Sequence, residues 1–156
     1  MRVLLQRAAS GSVENAGESV AVIGEGVVLL VGFGRGDDHL DLPRIAARIL
    51  DLRIFSDDSG RLQRSLRDTG GEVLAVPQFT LYARCDKGRR PDFTAALAPD
   101  LASGLFDEFV YALARSSESA VRAGVFGADM KVSLVNDGPM TIPLEFTPPT
   151  PAEQSA

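Results

Sequence analysis

Apolar positions follow two periods along the chain. Val3, Leu4 and Leu5, between Arg2 and Gln6, predict a strand over 2–6, and Ser19–Ile23 and Val27–Gly32 predict two more joined through Gly24-Glu25-Gly26. The run VVLLVGFG (27–34) is apolar on successive residues, which predicts a strand buried on both faces. The period then lengthens. Ile45, Ala46, Ile49 and Leu52 share a helical face, with Asp41 placed to cap that helix and Pro43 in its first turn. RIFSD (53–57) is short and β-like, and DDSG (57–60) is a turn. Val73–Val76 carries the strongest strand signal of the middle region, and Pro77 interrupts it, having no amide proton to give. Pro99 or Asp100 opens a second helix with Leu101, Leu105, Phe109 and Leu113 in a stripe. DMKVSLVN (129–136) and MTIPLEF (140–146) predict the last two strands. Between them lies Asn136-Asp137-Gly138-Pro139, the most turn-prone tetrapeptide of the chain. A hairpin tip is more often a plain Asn-Gly or Asp-Gly, so the stiff Gly-Pro calls for another reason.

At least six strands and two long helices predict one α+β layered domain over residues 1–146. The proline-rich, polar TPPTPAEQSA (147–156) is expected to be a disordered tail. With 156 residues, 45% apolar and 24% charged, the chain has the composition of one soluble domain. No apolar run reaches the roughly 20 residues that cross a membrane, and the start does not read as a signal peptide. One cysteine, Cys85, permits no disulfide framework, and a cytoplasmic location is expected.

Sixteen Lys+Arg against twenty-one Asp+Glu give a net charge of −5, which excludes a grip along an extended nucleic-acid duplex. Any nucleic acid must be held locally, through an end or a loop. Arg84, Lys87, Arg89 and Arg90 crowd one predicted loop, which reads equally as solvated charge or as a phosphate-facing patch.

The common catalytic sets are missing. His39, the one histidine, sits among aspartates before a helix and reads as a surface residue. There is no G-x-S-x-G, no Walker-type loop, and GFGRGDD (32–38) does not fit G-x-G-x-x-G. One Cys and one His give no conventional zinc site. What remains is VPQFTLYA (76–83), where strand alternation would set Gln78 and Thr80 on one side and Phe79 on the other. Two neutral polar groups facing a cleft can bind a polar substrate. Equally, Thr80 can be a strand threonine satisfying a neighbour.

At PQFTLYA (77–83) and NDGPMTI (136–142) the chain resembles the D-aminoacyl-tRNA deacylases. The likeness also runs through LLQRA, RIFSD, GGEVLAV, KGRRPDF and FGADMKVSLV, in order, and leaves out only the tail after Phe146. It implies a single layered α+β domain of mostly antiparallel sheets with two long helices, a fold shared with some tRNA-synthetase editing domains. It further implies a homodimeric hydrolase, with active sites at the subunit interface, that cleaves the ester between a D-amino acid and the terminal adenosine of tRNA. Glycyl-tRNA is expected to be cleaved too, and no cofactor or metal is expected.

The resemblance gives Gly138-Pro139 a purpose: a cis bond, inserted into the partner's pocket, where backbone carbonyls receive the substrate ammonium. No space is then left for an L side chain. Arg7 is implied to hold that loop, although by itself it also reads as a surface charge at a strand end. Phe79, Phe126 and Met130 are implied to line the pocket, where their plainer role is core. Ester hydrolysis needs an activated water and a stabilised oxyanion. Of the implied catalytic group, Gln78, Phe79 and Thr80, the amides of the last two are the expected oxyanion donors. A tRNA ribose hydroxyl is implied to assist, and Thr80 as nucleophile is the alternative.

The departure is Pro77, where the family usually has serine. Proline removes a hydroxyl and an amide proton while fixing φ. A role in shaping the backbone would survive this, and a direct chemical role would not. Two rivals therefore stand: a catalytically weakened module that binds charged tRNA or RNA ends, and an esterase for another acylated nucleotide.

Overall fold

The structure, a computed structural model, describes residues 1–86 and 88–148. In chain order its elements are β1 (Arg2–Asn15), β2 (Glu18–Ile23), β3 (Gly26–Gly32), α1 (Leu42–Leu50), β4 (Phe55–Ser56) and β5 (Leu62–Arg64). After these come α2 (Leu66–Thr69), β6 (Glu72–Pro77), α3 (Pro99–Ser116), β7 (Val121–Ala123) and β8 (Met130–Glu145). The α+β expectation holds. The main sheet has the order β2-β1-β3-β6-β7, with β8 also paired to β1, and β4-β5 form a separate small ladder. Pairings to β1 are antiparallel, whereas β3-β6 and β6-β7 are parallel.

β1 organises the sheet. Residues 2–8 pair with β3, residues 11–15 with β2, and β8 runs beside it from end to end. The sequence predicts β1 only to Gln6, because RAASGSVEN lacks an apolar run. Its inward positions there are small: Ala8, Gly11 and Val13 are buried. β7 has no counterpart in the predicted elements. Three residues with one arginine carry no legible period.

The predicted pair of final strands is one strand. Gln6 pairs with Thr141 and Ala8 with Asn136, so two steps along β1 face five along β8. Both apolar runs advance in the same direction along β1, which a hairpin would forbid. Residues 137–140 leave the ladder as an outward bulge, a feature that re-aims backbone beside functional sites.

Cores form on both faces. On one, α1 and α3 bring Ile45, Ile49, Phe106, Phe109 and Leu113 onto Leu5, Leu29, Val73 and Ala75. On the other, β2 and the outer half of β1 set Val13, Ala21 and Ile23 over Val28, Leu74 and Val76. Asp41 caps α1, accepting from the Arg44 amide at 3.1 Å, and Pro43 sits in its first turn. Leu52 falls beyond that helix and is half-buried. In α3 the predicted stripe is corrected. Four-residue steps drift about 40° each on a helix with 3.6 residues per turn, so Leu101 lies about 120° from Leu113. Leu101 is 60% exposed, and Ala102, Phe106, Phe109 and Leu113 form the buried face. No helix among the described residues is long and apolar enough to cross a membrane. The predicted tail lies largely outside the described residues, from 149 onward.

Candidate active site

β6, flanked by β3 and β7, ends at Pro77, where the chain drops into a 3₁₀ turn over Phe79–Tyr82. The predicted strand alternation at 78–80 is therefore replaced by a turn. Beside it opens a cavity of about 680 Å³, walled by the segment from Phe93 to Pro99, the first turn of α3, and residues 126–130 leading into β8.

Pro77 fits its place. Amide directions alternate along a parallel strand, and the Val73 amide donates to Ala120 O, so residue 77 would donate on the β7 side. There β7 has already ended, and the ladder closes one step earlier through Gly124 N to Ala75 O. Nothing in the ladder calls for a proton at 77. Gln78 donates instead to Val31 O at 2.7 Å, which fixes the start of the turn. Gly124 permits the floor beneath: a Cβ there would come within 2.8 Å of Met130 Sδ and 3.4 Å of the Pro77 ring. The Val125 amide donates to that sulfur at 3.3 Å.

The cavity gathers Pro77, Gln78, Phe79, Phe126 and Met130. Phe79 is 54% exposed and stands edge-on to Phe93, ring centroids 5.1 Å apart. Phe126 faces the cavity with one side and packs toward Phe106 with the other. Met130 likewise serves both the cavity and the second core. Thr80 is exposed and outside the lining, and its hydroxyl accepts a hydrogen bond from Gln78 Nε2. As first residues of a 3₁₀ turn, Phe79 and Thr80 have amides with no acceptor among the described residues. Polar side chains in the lining come from Arg35, Gln78, Thr94 and Asp129. Arg35, Phe93, Thr94 and Asp129 were not singled out in sequence because they sit in loops with no period, although Phe93, in KGRRPDF, and Asp129, in FGADMKVSLV, lay inside recognised segments.

Gly138 and Pro139 are exposed and do not line the cavity of their own chain; the bond between them is cis. Arg7 is buried, which excludes its reading as a surface charge. Its guanidinium donates to Asp137 O at 3.1 Å, to Gly138 O at 3.3 Å and to Ile54 O, and pairs with the Asp137 carboxylate at 2.7 Å. Asn136 ties the other side, donating from Nδ2 to Arg7 O at 2.8 Å and Met140 O at 3.1 Å. The bulge is thus clamped from within and presented outward.

Of the predicted basic group, Arg84, Arg89 and Arg90 are exposed on a loop closed by paired backbone hydrogen bonds between Arg84 and Asp92, at 2.8 and 2.9 Å. Lys87 lies outside the described residues. The loop runs directly into Phe93 at the cavity rim. Among the described residues no His/Cys/Asp/Glu cluster could hold a metal.

A family profile described as D-Tyr-tRNA(Tyr) deacylase matches residues 4–145. The chain belongs to the D-Tyr-tRNA(Tyr) deacylase family. Among related deacylases, the D-aminoacyl-tRNA deacylase of Pelobacter propionicus is 49% identical over 145 residues, covering 93% of this chain and 99% of that protein. That of Thioalkalivibrio sulfidiphilus is 50% identical over 149 residues, covering 96% and 99%. A solved structure titled c-Myc DNA Unwinding Element Binding Protein superposes with a TM-score of 0.87 at 37% identity, covering 94% and 99%. A structure described as a probable eukaryotic D-amino acid tRNA deacylase, at 22% identity and TM-score 0.80, shares the deacylase fold over 92% of this chain and 97% of that one.

Proposed function

We propose that the protein hydrolyses the ester of D-aminoacyl-tRNA, and of glycyl-tRNA, releasing the free amino acid and tRNA. The observation that carries this reading is the cavity at the end of β6, with an aromatic rim and, at its edge, a turn whose first two amides are unengaged, in a chain of this family. Water adds to the ester carbonyl, whose developing negative charge falls to the Phe79 and Thr80 amides. The C–O bond to the ribose then breaks, and the ribose oxygen takes a proton. A ribose hydroxyl of the tRNA assists the water, and Gln78 orients the turn through Thr80.

In this reading the Gly138-Pro139 bulge enters the cavity of a second copy of the chain. Its exposure and its absence from its own cavity support that arrangement, as does the Arg7 clamp behind it. A wall of backbone beside the substrate Cα accepts hydrogen and rejects a side chain. L-amino acids are therefore excluded, and glycine is not. Arg84, Lys87, Arg89 and Arg90 meet phosphates near the tRNA end, and the protein acts in the cytoplasm as a homodimer.

The test is hydrolysis of D-Tyr-tRNA and L-Tyr-tRNA by the purified protein. Cleavage of the D form alone is expected. Equal cleavage of both removes the chiral filter, and binding without cleavage of either makes the protein a non-catalytic module with Pro77 as the first residue to revert.

A further inference from the structure

Asp37 is a buried acid that the chemistry above does not use. Its Oδ2 accepts from the Gly34 amide at 2.6 Å and from the Tyr82 hydroxyl at 3.0 Å, and lies 2.6 Å from the Met1 ammonium. Three segments meet on one oxygen: the start of β1, the loop after β3, and the turn that carries Phe79 and Thr80. Burial, then the adjacent charge and hydrogen bond of Asp37, hold the Tyr82 phenol far above its ordinary value, so it stays a proton donor.

The turn has little else to fix it. Its residues are exposed or half-buried, and no side chain caps its start. Its other ties are Gln78 N to Val31 O at the entry, the Gln78 side chain to the Thr80 hydroxyl, the edge contact of Phe79 with Phe93, and Arg2, which donates to Leu81 O at 3.1 Å and lies 4.7 Å from the Tyr82 ring centroid. The glycines of GFG make the docking possible. A Cβ on Gly34 would meet the Tyr82 ring at 2.3 Å, and one on Gly32 would meet Gln78 O at 2.7 Å. For stability alone, apolar packing would serve as well as a buried carboxylate with three donors. What the carboxylate adds is a fixed direction for the turn.

We propose that Asp37 is a positioning residue for the hydrolytic site, acting through Tyr82 to hold the Phe79–Tyr82 turn, and with it the two unengaged amides, at the edge of the cavity. This rests on the deacylase reading and names the device that preorganises it. Displacements of about 1 Å in such donors cost on the order of 100-fold in rate.

The test uses the full chain carrying Tyr82→Phe, which removes one hydroxyl, and Asp37→Asn, which keeps the shape and removes the charge. Ser65→Ala, in the capping box of α2 away from the cavity, is the stability control. Steady-state deacylation of D-Tyr-tRNA is measured well below the melting midpoint, together with amide exchange at Leu81 and Ala83, whose N–H groups close the turn. Tyr82→Phe is expected to lower kcat about tenfold while KM stays within about twofold. Exchange at Leu81 and Ala83 rises at least about fivefold, that of Leu74 in β6 does not change, and Ser65→Ala retains full kcat. Asp37→Asn moves the same quantities further, and Tyr82→Phe alone decides if it fails to fold. Unchanged exchange at both amides, or a fall in kcat that merely follows the folded fraction, overturns the proposal. A wild-type protein inactive on D-Tyr-tRNA overturns the deacylase reading, and the exchange measurement still decides whether Asp37 positions the turn.

Discussion

Gly138→Ala separates a functional need for glycine from a structural one. A Cβ built at Gly138 meets nothing nearer than Asn136 Oδ1 at 3.8 Å, and the residue is not among those with positive φ. Alanine therefore fits its own chain. Folding stability is expected to stay within about 1 kcal/mol of wild type, with a small gain, because alanine narrows the unfolded ensemble. On the proposed arrangement the same methyl projects from the bulge into the space beside the substrate Cα in the partner's cavity. Overpacking a closed site costs about 1–3 kcal/mol. At about 1.36 kcal/mol per tenfold, deacylation of D-Tyr-tRNA falls roughly 5- to 150-fold. The assay pairs urea unfolding with single-turnover deacylation on one preparation. Wild-type rates at wild-type stability would refute the placement of Gly138 beside the substrate. A rate loss accompanied by unfolding would show that the space around Gly138 was misjudged.

Three further outcomes are expected. Arg7→Lys keeps the charge but cannot serve the carbonyls of Ile54, Asp137 and Gly138 together, so urea unfolding should show a loss of about 2 kcal/mol and D/L selectivity should fall; a loss below about 0.5 kcal/mol contradicts the clamp. Pro77→Ser should change the deacylation rate by less than about threefold, because the ladder needs no amide proton at 77; a many-fold gain would give the missing hydroxyl a chemical role. The Ser65 amide and then its hydroxyl hold the Asp68 carboxyl below its ordinary value of 3.8. A depressed folded pKa means that Asp68 stabilises fully above the unfolded value and loses this as pH falls through the folded one. Melting midpoints of wild type and Asp68→Asn should therefore converge as pH drops below about 4, and a constant gap contradicts the assignment.

What could be read from the sequence follows from how far each segment obeys a local rule. β3 announced itself because both faces are buried, and α1 because cap, proline and apolar face agree. The outer half of β1 was illegible, since its inward residues are small and its longest pairing is with β8, distant in sequence. The bulge at 137–140 was misread for the same reason: turn chemistry is local, while register against β1 is not. Pro77, Gln78, Phe79, Phe126 and Met130 were singled out because they lie in recognisable segments, and the structure places them around one cavity. Asp37 was invisible, one acid among several in GRGDDHLD, because only the fold brings it to Met1 and Tyr82.

The central claim is that each site combines the cavity of one subunit with Gly138-Pro139 of the other, and subunit mixing tests it most directly. Phe79→Ala damages the cavity of its own chain, and Gly138→Ala damages the bulge. Each homodimer should fall well below wild-type activity on D-Tyr-tRNA, Gly138→Ala by roughly 5- to 150-fold. Equal amounts, unfolded and refolded together, give about half heterodimers. Each heterodimer holds one intact site, so the mixture should regain about a quarter of wild-type activity. A mixture no more active than its two components would place Gly138 in the site of its own chain and contradict the account.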